Sequence, residues 1–226
     1  MLRIYIKNSA LPVSVVVADT VKYGYLYNYY AASDARELTA SGWELPTLTN
    51  LNTLRDYVGG FAIAGGMLKN IGTVYWSSNV GATNAYNFNA RGSGYRTELG
   101  NFQFFRATMA FGSITTLGGT SIYYMQISGN SIIANTNYAA VYARGVSLRP
   151  IKTSTTLING ESGIYVGNDG RAYRTICIGT QEWVADNLAE TKFRNGDLIT
   201  KVTDGTAWAA LTTEGYCAYD NDESNV

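Results

Sequence analysis

The 226 residues carry 17 Lys and Arg against 17 Asp and Glu and contain no His. This excludes a basic stripe for a nucleic-acid backbone, and it removes the imidazole that most general-base and transition-metal sites use near neutral pH. With 24 Gly, 18 Tyr, 3 Pro and 46% hydrophobic residues, the chain favours short strands, tight turns and a substantial core, so the expected class is β-rich α+β.

Leu2 to Ile6 alternates apolar and polar residues and Pro12 to Ala18 is a second β-branched run, so residues 1–21 read as a β arm rather than a signal peptide. Ser33-Asp34 predicts a cap for a short helical stretch ending before Gly42. Thr47 predicts the start of a stronger helix, in which Leu48, Leu51, Leu54 and Val58 recur on one face until Gly59-Gly60 stops the pattern. From Gly65 to Pro150 the sequence reads as loops and strands, with alternation clearest in Ser121 to Ile127 and Ala140 to Leu148. Residues 152–168 are rich in Ser, Thr and Gly and suit a connector with at most one short strand. Beyond it, Ala172 to Ile178 and Glu182 to Val184 predict a hairpin around Gly179-Thr180, and Ala207 to Leu211 a helical turn. No apolar run reaches the roughly eighteen residues of a membrane span.

Several strings carry a resemblance: YGYLYNYYAA from Tyr23, SGWELPTLTNLNTLRDYVGG from Ser41, AGGMLKNIGTVYW from Ala64, GATNAYNFNARGSGYR from Gly81 and RGVSLRP from Arg144. They continue in DGRAYRTICIGTQEWVADNLAETKFRNGD from Asp169 and WAALTTEGYCAYDNDESN from Trp208. Together they resemble the Fibrobacter succinogenes major paralogous domain, and the resemblance implies a C-type-lectin-like fold. In that family the segment that starts here at Asp169 comes first and runs into the YGYLYNYY element, so the order here is rotated. The implied organisation is an N-terminal β arm (1–21), the main part of a lectin-like core (22–151), a connector (152–168), and a segment (169–226) that completes the core. Completion is either within the chain, as a circular permutation, or across subunits, as a swap.

The Trp43-Glu44-Leu45-Pro46 element resembles the core signature of the lectin fold, a structural role. Asp220, Asp222 and Glu223 are read as a solvated turn rather than a cation site, Gly92 to Arg96 as a tight turn rather than a phosphate loop, and Asp186 and Glu190 as surface turns. Cys177 and Cys217 are read as buried free thiols or a pair. No metal, cofactor or catalytic residue is assigned. Ser121 to Tyr142 concentrates Tyr, Asn and Ser, which give rigid amphipathic area and adaptable hydrogen bonds, with an ordinary half-buried sheet as the alternative. The late part of the lectin-like core carries the ligand face by resemblance, so the candidate ligand-binding residues are Tyr124, Gln126, Asn135, Asn137, Tyr138 and Tyr142.

The resemblance implies a non-enzymatic virion structural or surface protein of a tailed phage of the gut, crAss-like type, such as a capsid or head fibre, decoration or receptor-binding component. It would assemble in the host cytoplasm and bind host-surface glycan or protein. Its partners would be other virion proteins or sister subunits, engaged through the arm, in a homo-oligomer with no nucleic acid and no membrane insertion. The alternative is a bacterial surface carbohydrate-binding or adhesion module. An enzyme of the formylglycine-generating kind would need a reactive thiol arrangement that the two cysteines do not display.

Overall fold

The computed structural model describes residues 21–226, apart from the side chains at 137–139, so the arm reading lies outside the described residues except for Val21. In chain order the elements are β1 (Leu26–Tyr27), α1 (Tyr29–Ala32), α2 (Leu48–Tyr57), α3 (Ala64–Leu68), β2 (Tyr95–Arg96), β3 (Phe102–Gln103) and β4 (Thr108–Leu117). There follow β5 (Ser121–Ser128), β6 (Ala134–Val141), β7 (Ile151–Lys152), β8 (Ser162–Val166), β9 (Ala172–Ile178), β10 (Gln181–Val184), α4 (Gly205–Ala209) and β11 (Tyr216–Cys217). The chain is a β-rich α+β protein with short helices.

α2 forms where cap, periodicity and stop agree. The Thr47 hydroxyl accepts the Asn50 N–H while the Asn50 side chain accepts the Thr47 N–H at 2.8 Å, satisfying donors that the first turn would otherwise orphan. Leu51, Leu54 and Val58 are buried against Met109 and Phe111 of β4, Met125 and Ile127 of β5, and Trp183 of β10. Each such side chain contributes about 1.5–3 kcal/mol of burial.

Two sheets frame this core. One has the order β7-β10-β9-β8 and the other β4-β5-β6, all antiparallel. The expected hairpin is present as β9 and β10, turning at Gly179, whose φ of +64° only glycine adopts without strain. The segment from Asp169 onward is hydrogen-bonded to the front of the same chain. Trp183 pairs with Ile151, Leu26 pairs with Cys217, and the Tyr23 N–H donates to the Asn225 carbonyl at 3.0 Å.

Three local expectations need correction. Residues 33–42 are not helical: Asp34 spends its carboxylate on the Arg36 N–H and guanidinium, which closes a turn instead of capping a helix. The short helix is α1, capped by Asn28, whose side chain accepts the Ala31 N–H at 3.0 Å. α3 lies in a stretch read as loops and strands, and the alternation through Leu148 supports a strand only as far as Val141.

Lys69, the residue after α3, is fully buried. Its ammonium donates to the carbonyls of Val80 (2.8 Å), Ser128 (3.1 Å), Gly129 (3.3 Å) and Ser131 (2.8 Å), tying the loop after Trp76 to the β5–β6 turn. Burial pulls its pKa down to about 8, so the group is still charged at neutral pH. Lys69→Met keeps the length of the side chain but removes every donor from four inward carbonyls, which should cost about 2–4 kcal/mol in a urea titration. A loss below about 0.5 kcal/mol, the scatter of ordinary surface substitutions, would show that the ammonium is no staple.

Candidate functional site

Of the six residues expected to bind a ligand, the four whose side chains are described do not form one patch. Tyr124 is 4% exposed and packs in the core, so it presents no contact surface, which corrects its reading as a ligand residue. Gln126 and Asn135 are direct cross-strand partners, both half-buried, near the β5–β6 turn. Close by, Thr136 is buried against α2, accepting from Arg55 at 2.6 Å and donating to Asn52 at 2.6 Å. Asn137 and Tyr138 lie in β6 between the two ends, with side chains outside the described set.

Tyr142 lies at the other end of the hairpin, where Ser121 pairs with Val141. Its ring is 4.3 Å from that of Tyr29, at 30°, and 5.8 Å from that of Tyr30, at 84°; all three rings are half-buried. Asn28 places this trio by capping α1, because the cap fixes how the first two tyrosines leave the chain. The Tyr29 N–H then bonds the Tyr142 carbonyl at 2.9 Å.

The turn that carries Tyr142 also carries Arg144, closed by the Arg144 N–H on the Val141 carbonyl at 2.9 Å. Arg144 reaches Glu98 at 2.9 Å and lies over the Tyr95 ring, 5.1 Å from its centroid. The Glu98 carboxyl is held below its ordinary range by its own backbone N–H and by Arg144, against a smaller opposing push from burial. Tyr95 in turn packs at 5.6 Å, tilted by 36°, against the ring of Phe104, a residue that is 54% exposed. Sequence reading missed Glu98, Phe104 and Arg144, which come together only because Arg96 and Gly145 exchange backbone hydrogen bonds of 2.9 and 2.8 Å.

The reading of Asp186 and Glu190 as surface turns is overturned. Both are buried, Asp186 among arginines and Glu190 among tyrosines. Arg149, also buried, donates to the Asn187 side chain at 2.8 Å and to the Asn89 carbonyl at 2.9 Å, and burial lowers it to about 9. Cys177 and Cys217 are both buried and free, and burial raises both thiols, Cys217 to about 11, so neither is a thiolate at neutral pH.

Of the acidic trio, Asp222 accepts the Ser224 N–H at 2.9 Å, and Glu223 pairs with Lys201 and accepts the Tyr25 hydroxyl at 2.7 Å. Among the described residues no three His, Cys, Asp or Glu side chains are grouped to hold a metal. In the Trp-Glu-Leu-Pro element Leu45 is buried, while Trp43 is half-buried and packs at 5.1 Å on Tyr165. Within Gly92 to Arg96, Gly94 takes a φ of +63° and Arg96 turns inward to the carbonyls of Gly100, Val202 and Thr203.

These features define a β-rich module with an aromatic and ion-paired edge at the Tyr142 end of the β5–β6 hairpin. The chain belongs to the Fibrobacter succinogenes major domain family, whose model matches residues 16–152. No curated protein and no solved structure matches it.

Proposed function

We propose that the chain is a non-enzymatic recognition module, lectin-like with its sequence order permuted, that presents the Tyr29–Tyr30–Tyr142 edge to a glycan on a host surface. The half-buried tyrosine trio carries this reading. Aromatic rings supply rigid apolar area at small entropic cost, and their hydroxyls give the polar end a partner. The adjacent charged pair supplies the few placed polar groups that a small-molecule site needs. Protonated, buried thiols support a role without covalent catalysis. The contact of Tyr23 with Asn225 supports permutation, because it joins the two points that the usual family order would connect through the chain.

The surrounding assembly proposed is the outside of a tailed-phage particle, with residues 1–21 as the attachment arm. This part of the reading rests on the family's recurrence in phages and in bacterial surface proteins.

The deciding experiment is a glycan array probed with the purified chain and with Tyr142→Ala. Retention on a defined glycan set that falls about tenfold or more in the variant, at unchanged melting temperature, is the expected result. No retention of the intact chain on any glycan would defeat the reading.

A further inference from the structure

We infer that Tyr95, Glu98, Phe104 and Arg144 form a subsite for a neutral pyranoside, which lays an apolar ring face on the two aromatic rings and places neighbouring hydroxyls on the Glu98–Arg144 pair. The inference rests on the recognition reading and adds the ligand's chemical class and a second set of contacts beyond the tyrosine trio.

The aromatic half of the subsite is pre-shaped. Phe104 has a φ of +60° and Arg106 a φ of +56°, a conformation that L residues seldom adopt and that holds only where surrounding bonds impose it. Here the Phe104 carbonyl accepts the N–H groups of Ala107 and Thr108, both at 3.0 Å. The Arg106 N–H is bonded to the Gly92 carbonyl at 2.6 Å. The loop therefore holds an exposed phenylalanine against Tyr95 instead of letting it fold inward. A ring fixed in advance loses little entropy on binding. Gln103 extends the rim, its side-chain oxygen accepting the Tyr95 hydroxyl at 3.1 Å, which leaves its amide as a further donor.

The polar half selects the ligand. A carboxylate only accepts and a guanidinium only donates, so the pair suits a ligand that brings both a donor and an acceptor, as two neighbouring hydroxyls do. Arg144 gives both Nε (3.3 Å) and Nη2 (2.9 Å) to one Glu98 oxygen. An acidic sugar would have to displace Glu98 from Arg144 and then sit beside it. The Glu98 side chain is 39% exposed at the rim, so it repels a carboxylate there.

Calorimetric titration with methyl hexopyranosides and with the matching methyl hexuronides tests this in the full chain. We expect at least one neutral glycoside to bind, its uronide to bind about tenfold more weakly, and Phe104→Ala to weaken the neutral ligand about tenfold at unchanged melting temperature. Glu98→Ala gives the sharper readout: it should weaken the neutral glycoside and strengthen the uronide, inverting the preference, which a residue with only a structural role would not do. Equal binding by wild type and both variants would place the sugar elsewhere, overturning the subsite while leaving glycan recognition intact. A uronide preferred by the wild type would overturn the ligand class. Binding of no glycoside, with a protein retained on the same edge and lost in Phe104→Ala, would overturn both the subsite and the glycan reading.

Discussion

Asp186→Asn should lower the unfolding free energy by about 3–5 kcal/mol, since it takes one anion away from a buried cluster of guanidiniums. Asp186 forms an ion pair with Arg91 at 3.2 Å and accepts a hydrogen bond from Arg174 at 2.7 Å, with Arg149 near enough to add its charge. Burial pushes the carboxyl up, but the Arg174 hydrogen bond and the charges of Arg91, Arg174 and Arg149 outweigh it and hold the pKa below the ordinary value. The sign follows directly: stability from a depressed carboxylate is present above its unfolded pKa and is lost as pH falls through the lower folded value. Wild type should therefore lose stability progressively below about pH 4, and the Asn variant should lack that component of the acid slope. Urea titrations at pH 7 and pH 3 measure both effects. A change under about 1 kcal/mol at pH 7 would mean that the neutral amide serves the arginines as well as the carboxylate does.

The position of this cluster makes the prediction informative about assembly as well as stability. Arg91 and Arg149 come from the front of the chain, whereas Arg174 and Asp186 come from the segment after Asp169. Breaking the cluster should therefore loosen the closure of the two parts on each other.

What was legible in the sequence was what local chemistry decides. α2 was readable because the Thr47 cap, the Leu51–Leu54–Val58 stripe and the glycine stop all lie within one short window and agree. The β9–β10 hairpin was readable for the same reason, with Gly179 at its turn. Asp34 sent the same local signal as a cap, yet Arg36 two residues later captured its carboxylate. Composition singled out the tyrosine-rich stretch that ends at Tyr142 but not the face each tyrosine would take. A register shift between Tyr124 and Gln126 leaves Tyr124 and Met125 both inside, which no strict alternation predicts. Glu98 and Arg144 carried no signal at all, because their meeting depends on a backbone pairing between Arg96 and Gly145. Asp186 and Glu190 looked like surface acids because the arginines and tyrosines that bury them come in part from distant stretches of chain.

Glu190→Gln should abolish a loss of stability that the wild type suffers as pH rises from about 5 to about 8. Glu190 is fully buried, and its Oε1 has no hydrogen-bond partner among the described residues. Its Oε2 accepts the Asp169 N–H at 3.1 Å, and the Tyr27 hydroxyl spends its proton on the Glu190 backbone carbonyl at 2.8 Å rather than on the carboxyl. Gly167 packs so closely that a Cβ there would overlap Oε1, which shuts the site from that side. Burial, with the nearby Asp169 charge, raises the carboxyl from 4.5 to about 8. The unfolded chain releases this proton near its ordinary pKa while the folded chain keeps it. The group is thus neutral in its effect below about pH 4.5, costs progressively more as pH climbs, and levels off above about pH 8 at about 5 kcal/mol. Glutamine has the same shape and never ionises, so variant and wild type should match near pH 4.5 and diverge by about 2–4 kcal/mol at pH 8, the variant being the more stable. Matched urea titrations at the two pH values decide it, and parallel curves would show that Glu190 is ionised in the folded protein at neutral pH, with its charge satisfied by the tyrosines around it.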